Sequence, residues 1–305
     1  MKLTSGARSA GDVMFDIGNV LFMCGLMAVT LYPFANMLAV SLNDAMDASR
    51  GGIFLKPRLF TLYNYEYVLR EASIFRSLTI SVLRTVIGTA ITVFCSAMVA
   101  YTVSRPEYLL RKWVTLAFIL TMYFNGGLIP TYLLHKELHL INSFWVYIIP
   151  GIVGAFNIII IRSFIEGIPD GINESARIDG AGDFKIFMKI VLPLCTPALA
   201  TVALFVAVWQ WNSWFDVFLY NSSNPKLSTL QYELMKILQT ANGSSTQATV
   251  GDVLGGGRSA GATNQVTPTS IRATMTIVAS LPIILVYPFL QKYFVKGMTL
   301  GGVKG

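Results

Sequence analysis

Long stretches without a charged side chain dominate the pattern of apolar and polar positions in this sequence. Six windows contain no Asp, Glu, Lys or Arg, and they cover residues 17–43, 85–104, 113–135, 138–161, 190–215 and 273–291. A helix needs about 20 mostly apolar residues to cross the hydrocarbon core of a bilayer. Backbone polar groups in lipid must be bonded within the segment, so each window predicts a helix. The pattern therefore predicts an all-α membrane protein with six transmembrane helices.

Prolines interrupt several of these windows, at positions 130, 150, 197, 282 and 288. Proline removes a backbone donor and clashes with the preceding turn of a helix, so it bends or breaks the helix. In membranes such breaks are tolerated where the chain is buried in protein or lines a cavity. We expect bends or cavity linings at some of these positions.

The charges between the windows indicate an orientation. Basic residues exceed acidic ones between the second and third windows, with Arg105, Arg111 and Lys112, and after the sixth, with Lys292, Lys296 and Lys304. The N-terminus carries Lys2 and Arg8. Short loops rich in Lys and Arg stay in the cytoplasm. An even number of spans puts both termini on one side. We therefore place both termini, the second loop and the fourth loop in the cytoplasm.

One transmembrane domain is expected over residues 1–305. It would carry a cytoplasmic loop at 165–193, a long external loop at 219–271 and a cytoplasmic tail at 292–305. Residues 241–270 of the external loop are rich in Gly, Ser, Thr and Ala, and such a composition buries too little apolar surface to order itself strongly. We expect a mobile external loop there.

Composition excludes several classes of protein. Of 305 residues, 54% are hydrophobic and only 13% are charged, whereas soluble domains carry about 25% charged residues. The net charge of +7 is spread over many loops, unlike the clustered basic face of a nucleic-acid binder. Three widely spaced cysteines form neither a metal nor a disulfide pattern, and His135 and His139 lack the zinc-protease spacing. We predict no metal site and no catalytic residue.

The loop at 165–193 is long for an internal connection and predicts local structure. Pro169 and Asp170 suit the first turn of a helix, and Asp179 followed by Gly180 is a stop signal. A second short helix over 184–191 would lead into the fifth span at Pro193.

The same loop resembles the Glu-Ala-Ala loop of binding-protein-dependent importer permeases. The matching positions keep the family's spacing throughout, and they are Glu174, Ser175, Ala176, Gly180, Ile190, Leu192 and Pro193. Ser175 stands where Ala is usual, which is one small residue for another. The tail from residue 291 to 305 is similar to that of carbohydrate permeases, the maltose-type second subunit. The likeness is greater to the branch for complex oligosaccharides, including alginate and pectin fragments.

The resemblance implies a type I ABC importer permease fold in the inner membrane. Its implied partners are a homologous second permease subunit, two ATP-binding subunits that hold ATP and Mg, and an extracytoplasmic solute-binding protein. No ATPase motif occurs in this chain, so no cofactor is expected on it. Ala176 and Gly180 would permit close docking to the ATPase, and Glu174 and Asp179 would pair with its basic groups.

Two groups of residues are candidates for the substrate path. Trp209, Trp211 and Trp214 lie close together at the end of the fifth window, with Asn212 between them. They would form either an interfacial aromatic belt or a stacking surface for sugar rings. Arg84 and Arg272 flank the second and sixth windows. Each would either extend to the membrane interface or face the path, where it would favour an acidic substrate.

Three other functions compete with an oligosaccharide importer. A permease for neutral sugars or peptides would share the coupling loop. An ion-coupled secondary transporter would carry acidic groups within its spans, which the six windows lack. A membrane-embedded enzyme would need a nucleophile–base or metal constellation, and none is visible.

Overall fold

The computed structural model describes residues 10–243 and 266–301, and within them the chain is helical apart from turns, loops and one isolated bridge between Asn43 and Phe60. The chain divides into two compact units. The first is drawn from Met1–Leu69 and Thr240–Val278, and the second from Arg70–Gln239 and Ala279–Gly305. Most of the external segment predicted to be mobile, residues 244–265, lies outside the described residues.

The first unit contains the first span and the segment that follows it. Its helices are α1 (Ala10–Ser41), α2 (Ala45–Ser49), most of α3 (Tyr63–Arg70) and the start of α14 (Pro268–Gly301). The side chains of α1 are exposed from residue 11 to residue 34. When the rest of the chain leaves an apolar helix exposed, that helix is suited to contact lipid or another apolar protein surface.

The second unit holds the other helices. In chain order they are α4 (Ala72–Ser104), α5 (Arg111–Tyr123), α6 (Leu128–Glu137), α7 (Ala155–Ile165), α8 (Asp170–Ile178), α9 (Asp183–Ile186), α10 (Leu192–Leu194), α11 (Thr196–Asn212), α12 (Phe215–Asn221) and α13 (Leu230–Gly243). Short 3₁₀ turns occur at Phe144–Tyr147, Ile149–Gly151 and Pro225–Leu227. The core lies where α4, α7 and α11 pack together with the segment leading into α11.

Three of the six predicted spans are broken instead of continuous. Helices α1, α4 and α14 are long and apolar enough to cross a bilayer unbroken. The third span is α5 followed by α6 with a bend of 120°, and the fourth is Phe144–Gly151 followed by α7 with a bend of 49°. The fifth is Asp183–Leu194 followed by α11 with a bend of 81°. Each of these three windows is helical, as predicted, but holds two elements joined at a bend of the kind that the prolines led us to expect.

Two of the five prolines begin a helix directly after a break. Pro130 and Pro197 lie in the first turns of α6 and α11, whereas Pro150 lies in the 3₁₀ turn Ile149–Gly151, just before the break that precedes α7. A first-turn residue has no helical acceptor for its amide, so proline costs little there. Pro282 and Pro288 instead lie inside the unbroken α14. Pro130 and Pro197 therefore follow a bend because a new helix begins there, whereas the two prolines inside α14 do not interrupt it.

Helix α4 starts earlier than predicted and buries a stripe of small residues. It begins at Ala72, because a window that excludes charge cannot extend back across Arg84. Its buried face consists largely of small side chains, namely Ser77, Ser81, Gly88, Thr92, Ser96, Ala97 and Ala100. With the buried Arg84 between Ser81 and Gly88, this face repeats about every helical turn. Its small side chains let neighbouring helices approach closely, as in other membrane proteins.

At Gly88 the approach leaves no room for a side chain. A Cβ atom there would lie 2.7 Å from Nε2 and 3.0 Å from Cδ of Gln210. Gln210 is held in place, since its Nε2 donates to the Tyr147 carbonyl at 3.1 Å. We expect Gly88→Ala to lower the midpoint of thermal unfolding of the purified protein, at a cost of about 1–3 kcal/mol for overpacking.

The matched control is Gly25→Ala in α1, where a Cβ meets nothing within 4 Å. Alanine favours a helix over glycine by about 1 kcal/mol, so this variant should unfold at the same temperature or higher. Equal behaviour of the two variants would contradict the close contact at Gly88.

Candidate functional site

The end of α11 separates the tryptophans onto different surfaces. Trp209 is 57% exposed, whereas Trp211 is 5% exposed. Two residues along a helix correspond to a rotation of about 200°, so the rings lie on nearly opposite sides. The helix ends at Asn212, and the Ser213 amide donates to the Trp209 carbonyl at 3.1 Å.

Trp211 does not reach a surface on which a sugar could stack. Its indole Nε1 donates to the carbonyl of Ala279 in α14 at 2.8 Å, and the bond is buried. The side chain therefore fastens α11 to α14. Sequence proximity grouped Trp211 with Trp209 and Trp214, but the helical rotation sends it into the protein.

Trp209, Asn212 and Trp214 do lie together, on the wall of an open depression of about 690 Å³. The other lining residues are Leu204, Phe205, Val208, Ser213 and Phe215. A smaller cavity of about 280 Å³ shares Phe205 and Trp209 and adds the polar side chains of Thr92, Asn157 and Gln210. Apolar and aromatic walls with a few polar groups are typical of small-molecule sites.

Arg84 lies at neither of the two positions considered from the sequence. It is in the interior of α4, and its side chain is 0% exposed. Its Nη2 bonds to Oδ2 of Asp216 at 2.5 Å, and its Nη1 lies 3.3 Å from Oδ1 of the same carboxylate. Its Nε donates to Oε1 of Gln210 at 3.1 Å. The guanidinium also stacks over the Tyr147 ring, 4.4 Å from its centroid.

This network neutralises Arg84 within the chain and fixes the break between α11 and α12. A buried charge is tolerated when it is paired and its donors are satisfied. Here the same guanidinium also donates to the Ser213 carbonyl at 3.3 Å, at the break itself. Arg84 therefore offers no free positive charge to a substrate in this structure. It supports the wall that Trp209 and Asn212 form.

Arg272 belongs to the first unit, in the second turn of α14. Its side chain is half-buried, and its Nε has no hydrogen-bond partner among the described residues. Its carbonyl accepts a bond from Thr276 Oγ1 at 2.8 Å. Arg272 therefore stays a predicted path residue, with a donor available.

The coupling segment, residues 165–193, folds locally as its sequence predicts. Helix α8 runs Asp170–Ile178 with Pro169 just before it, and it ends before Gly180, whose φ of +75° suits glycine. Glu174, Ser175 and Asp179 are exposed, whereas Ala176 is buried in the core.

A turn of π-helix accommodates the Pro193 of the motif. The segment passes through Phe187–Val191 in this form before α10. Proline has no amide hydrogen and its ring crowds the carbonyl four residues earlier, and a π-turn relieves such crowding. The side chains of Ile190 and Leu192 are partly buried and pack against the core. These two motif residues therefore anchor the segment, while Glu174 and Asp179 face outward.

Two polar contacts that the sequence analysis missed tie α8 to the loop after α4. Arg177 bonds to Glu107 at 2.5 Å and to Asp183 at 3.3 Å. Arg105 donates to Asn173 at 3.1 Å. In the sequence analysis Arg105 served only to orient the chain, and Glu107 was not paired with the opposite charge of Arg177.

The Glu107 carboxylate is ionised at neutral pH in this arrangement. A hydrogen bond from its own backbone and the bond from Arg177 lower the pKa of Glu107. A lowered carboxyl pKa adds stability above the ordinary Glu range, and that stability is lost as the pH falls through the lowered value. The tie between the two loops is therefore fully formed at neutral pH.

Breaking the buried Arg84–Asp216 pair should destabilise the protein strongly. We expect Asp216→Leu to cost about 3–5 kcal/mol, because it leaves the fully buried Arg84 charge without its partner. Arg84→Met should cost less, because the Asp216 side chain that it leaves unpaired is 19% exposed. The double variant should lower the free energy of unfolding by less than the sum of the two single losses. Thermal unfolding of all four proteins measures this coupling.

The exposed pair Arg162–Glu166, at 2.8 Å, provides the control. Glu166→Ala should cost less than about 1 kcal/mol. Additive losses at Arg84 and Asp216 would show that the pair does not act as a unit.

Known proteins match this chain over nearly its whole length. Residues 82–300 match the family described as the binding-protein-dependent transport system inner membrane component. The chain is 38% identical over 298 residues to Protein LplC of Bacillus subtilis (strain 168), covering 97% of this chain and 96% of that one. It is also 38% identical over 292 residues to the polygalacturonan/rhamnogalacturonan transport system permease protein YtcP of the same organism, covering 96% and 99%.

A solved structure extends the match to three dimensions. It is described as a bacterial ABC transporter involved in the import of the acidic polysaccharide alginate. One of its chains superposes with a TM-score of 0.84 at 28% identity, covering 95% of this chain and 100% of that one. The predicted type I importer fold is thereby confirmed. This chain belongs to the inner membrane components of binding-protein-dependent transport systems, and it is a membrane-spanning permease subunit of an ABC importer.

Proposed function

We propose that this chain forms half of the translocation path of an ATP-driven importer of acidic oligosaccharides. A homologous permease would supply the other half, two ATP-binding subunits would hydrolyse ATP, and an extracytoplasmic binding protein would deliver the substrate. Both termini and the coupling segment would lie in the cytoplasm, as the excess of Lys and Arg in the short loops indicates.

The observation that carries the substrate class is the end-to-end match to YtcP. The identity of 38% extends over 96% of this chain and 99% of YtcP, whose name assigns it to polygalacturonan and rhamnogalacturonan transport. The alginate transporter matches in fold over 95% of the chain. Both of these named substrates contain acidic sugars.

The depression beside α11 supports a sugar as the ligand. Trp209 and Trp214 offer flat apolar faces, and Asn212 lines the same depression. Its Nδ2 donates to the Val208 carbonyl at 2.9 Å and its Oδ1 accepts from Gln231 at 3.3 Å, so each group of the amide keeps capacity for one further bond. A sugar ring has an apolar face and a polar rim, so it matches this combination. The depression is open, and the second permease subunit would complete it.

The preference for acidic sugars does not come from Arg84, whose charge Asp216 neutralises. Of the two basic path candidates predicted from the sequence, Arg272 remains, and its Nε has no hydrogen-bond partner among the described residues. A neutral oligosaccharide is the second candidate substrate. The arabinooligosaccharides transport system permease protein AraQ of Halalkalibacterium halodurans is 30% identical over 286 residues, covering 91% of this chain and 92% of that one.

Helix α8 has the surface expected of a docking element. Ile178 at the end of α8 is 86% exposed, and Phe184 in the following α9 is 66% exposed. The carboxylates of Glu174 and Asp179 are exposed as well. An ATPase with an apolar groove and basic groups would cover this surface. The ion pairs of Arg177 and the packing of Ala176 would then transmit its movement to α4 and α11 as a rigid unit.

Gly180→Asp should uncouple ATP hydrolysis from transport. The φ of +75° strains any side chain at this position, and the added charge would disturb the end of α8 at the docking surface. We expect normal amounts of the chain in the membrane and a severe loss of uptake. Transport into proteoliposomes and ATP hydrolysis are measured together.

Gly182→Asp is the control for the added charge. Gly182 has a φ of −72° and precedes α9, a position that Asp favours. This variant should retain most of its transport. Normal transport by Gly180→Asp would contradict the docking of α8.

Trp209→Ala should reduce stimulation of ATP hydrolysis by substrate in the reconstituted importer. Loss of one aromatic stacking face should weaken the response by about 0.5–1.5 kcal/mol, or roughly 2- to 13-fold. The control is Trp113→Ala, because Trp113 is also exposed, at 71%, but lies on α5 away from the depression. Equal stimulation of both variants would remove Trp209 from the path.

The same assay distinguishes the substrates. Uronate oligosaccharides should stimulate hydrolysis, whereas neutral ones of equal length should not. Stimulation by neutral sugars alone would overturn the acidic preference and leave the sugar assignment intact. No response to either set would contradict the sugar assignment itself.

A further inference from the structure

The segment between α2 and α3, residues 51–62, exposes large apolar side chains. Phe54 and Phe60 are 65% and 67% exposed, and Leu55, Leu59 and Leu62 are also more than half exposed. Lys56 and Arg58 are exposed among them. Soluble surfaces seldom carry so many contiguous apolar groups, so such a patch indicates an interaction surface.

The exposure follows from a fixed backbone. The Asn43 side-chain oxygen accepts bonds from the amides of Arg58 at 2.7 Å and Leu59 at 2.8 Å. The Arg58 guanidinium bonds to Asp47 at 2.9 Å. The Asn64 amide donates to the Asn43 carbonyl at 2.8 Å. The apolar side chains are therefore held outward by a polar network behind them.

One end of the segment folds back along α1. The Asn36 side-chain amide donates to the carbonyls of Ile53 at 2.7 Å and Phe54 at 2.9 Å. Asn36 precedes the end of α1 at Ser41 by about 7.5 Å along the axis. Phe54 is consequently level with a point inside the first span, not beyond its end.

The length of the span places that point at the edge of the hydrocarbon. Asp16 is the last charged residue before the uncharged run of α1. From there, about 20 residues cross the hydrocarbon core and lead to Asn36. Tilting lengthens the crossing, so a tilted α1 would put Asn36 and Phe54 deeper still.

The other end of the segment lies farther out. Phe60 forms the bridge with Asn43, and the amide of Thr61 donates to the Leu42 carbonyl at 2.9 Å. Both partners follow the end of α1. At helical rise, Asn43 is about 10 Å beyond Asn36. The two phenylalanines therefore have equal exposure but different depths.

We propose that residues 51–62 form an interfacial anchor that inserts into the leaflet at the Ser41 end of α1. Phe54 and Leu55 enter the boundary between acyl chains and headgroups, and Leu59 and Phe60 lie among the headgroups. Lys56 faces lipid phosphates, as basic residues do beside an inserted apolar face. The proposal depends on the membrane location of α1 and not on the proposed substrate.

The test uses the depth difference between the matched phenylalanines. Phe54→Cys and Phe60→Cys are made in a chain whose Cys24, Cys95 and Cys195 are replaced by alanine. Each variant is labelled with a nitroxide and reconstituted into liposomes as the complete importer with its partner subunits. Power-saturation electron paramagnetic resonance then compares collisions with oxygen, which concentrates among acyl chains, and with Ni-EDDA, which stays in water.

The label at 54 should collide mainly with oxygen and the label at 60 mainly with Ni-EDDA. Equal Ni-EDDA access at both positions would place the segment in water and overturn the anchor. A label at 54 shielded from both reagents would show that protein covers this face, which also overturns it. Loss of Ni-EDDA access only on addition of the binding protein would assign the surface to that partner instead.

Asn36→Ala tests how the depth is set. This change removes the amide that holds the carbonyls of Ile53 and Phe54. The label at 54 should then gain Ni-EDDA access several-fold while the label at 60 stays unchanged. An unchanged label at 54 in this background would contradict the role of Asn36.

Discussion

A guanidinium in the interior of a membrane protein needs a counter-charge and acceptors for its other donors, and Arg84 obtains all of them from one region. Asp216 supplies the charge, Gln210 and the Ser213 carbonyl accept further bonds, and the Tyr147 ring covers the flat face. These partners belong to α11, to the break after it, to α12 and to a turn before α7. Their positions are thus set by one side chain of α4. The ion pair between these distant segments therefore sets how α4 packs against α11 and α12 in the second unit. The small residues of α4 let the helices approach closely.

The same need for polar partners explains where the spans can break. A helix end inside the membrane leaves backbone groups without helical partners, and such ends persist only where protein or water satisfies them. After α11 the Ser213 carbonyl, which follows the end of the helix, accepts a hydrogen bond from Arg84. The chain can therefore end a helix beside an open depression. At the other end of α11, Pro197 starts the helix without needing an acceptor. Both devices let α11 stand between two breaks in the helix, with one side available to the path.

Local features of this fold could be read from the sequence, whereas pairings between distant segments could not. The helix over Asp170–Ile178 and its end at Gly180 follow from residues within one turn of each other. Excluding charge from the spans hid the true start of α4, because the partner of Arg84 is 132 residues away. No periodicity links Arg84 to Asp216. The tryptophans were grouped by proximity in the chain, although a helical rotation sends Trp211 inward. The angular position of each residue on its helix was the missing information.

The alternation along the end of α11 bears on how such permeases diversify. Trp209 and Asn212 face the depression, while Gln210 and Trp211 between them are fixed to Tyr147 and to α14. Substitutions on the first face alter what the wall contacts without touching a buried bond. Substitutions on the second disturb the scaffold whatever the cargo. Over evolutionary time the two sets of positions should change at different rates, and new substrate preferences can arise on α11 by drift and selection on its outward face while the inward face stays constant.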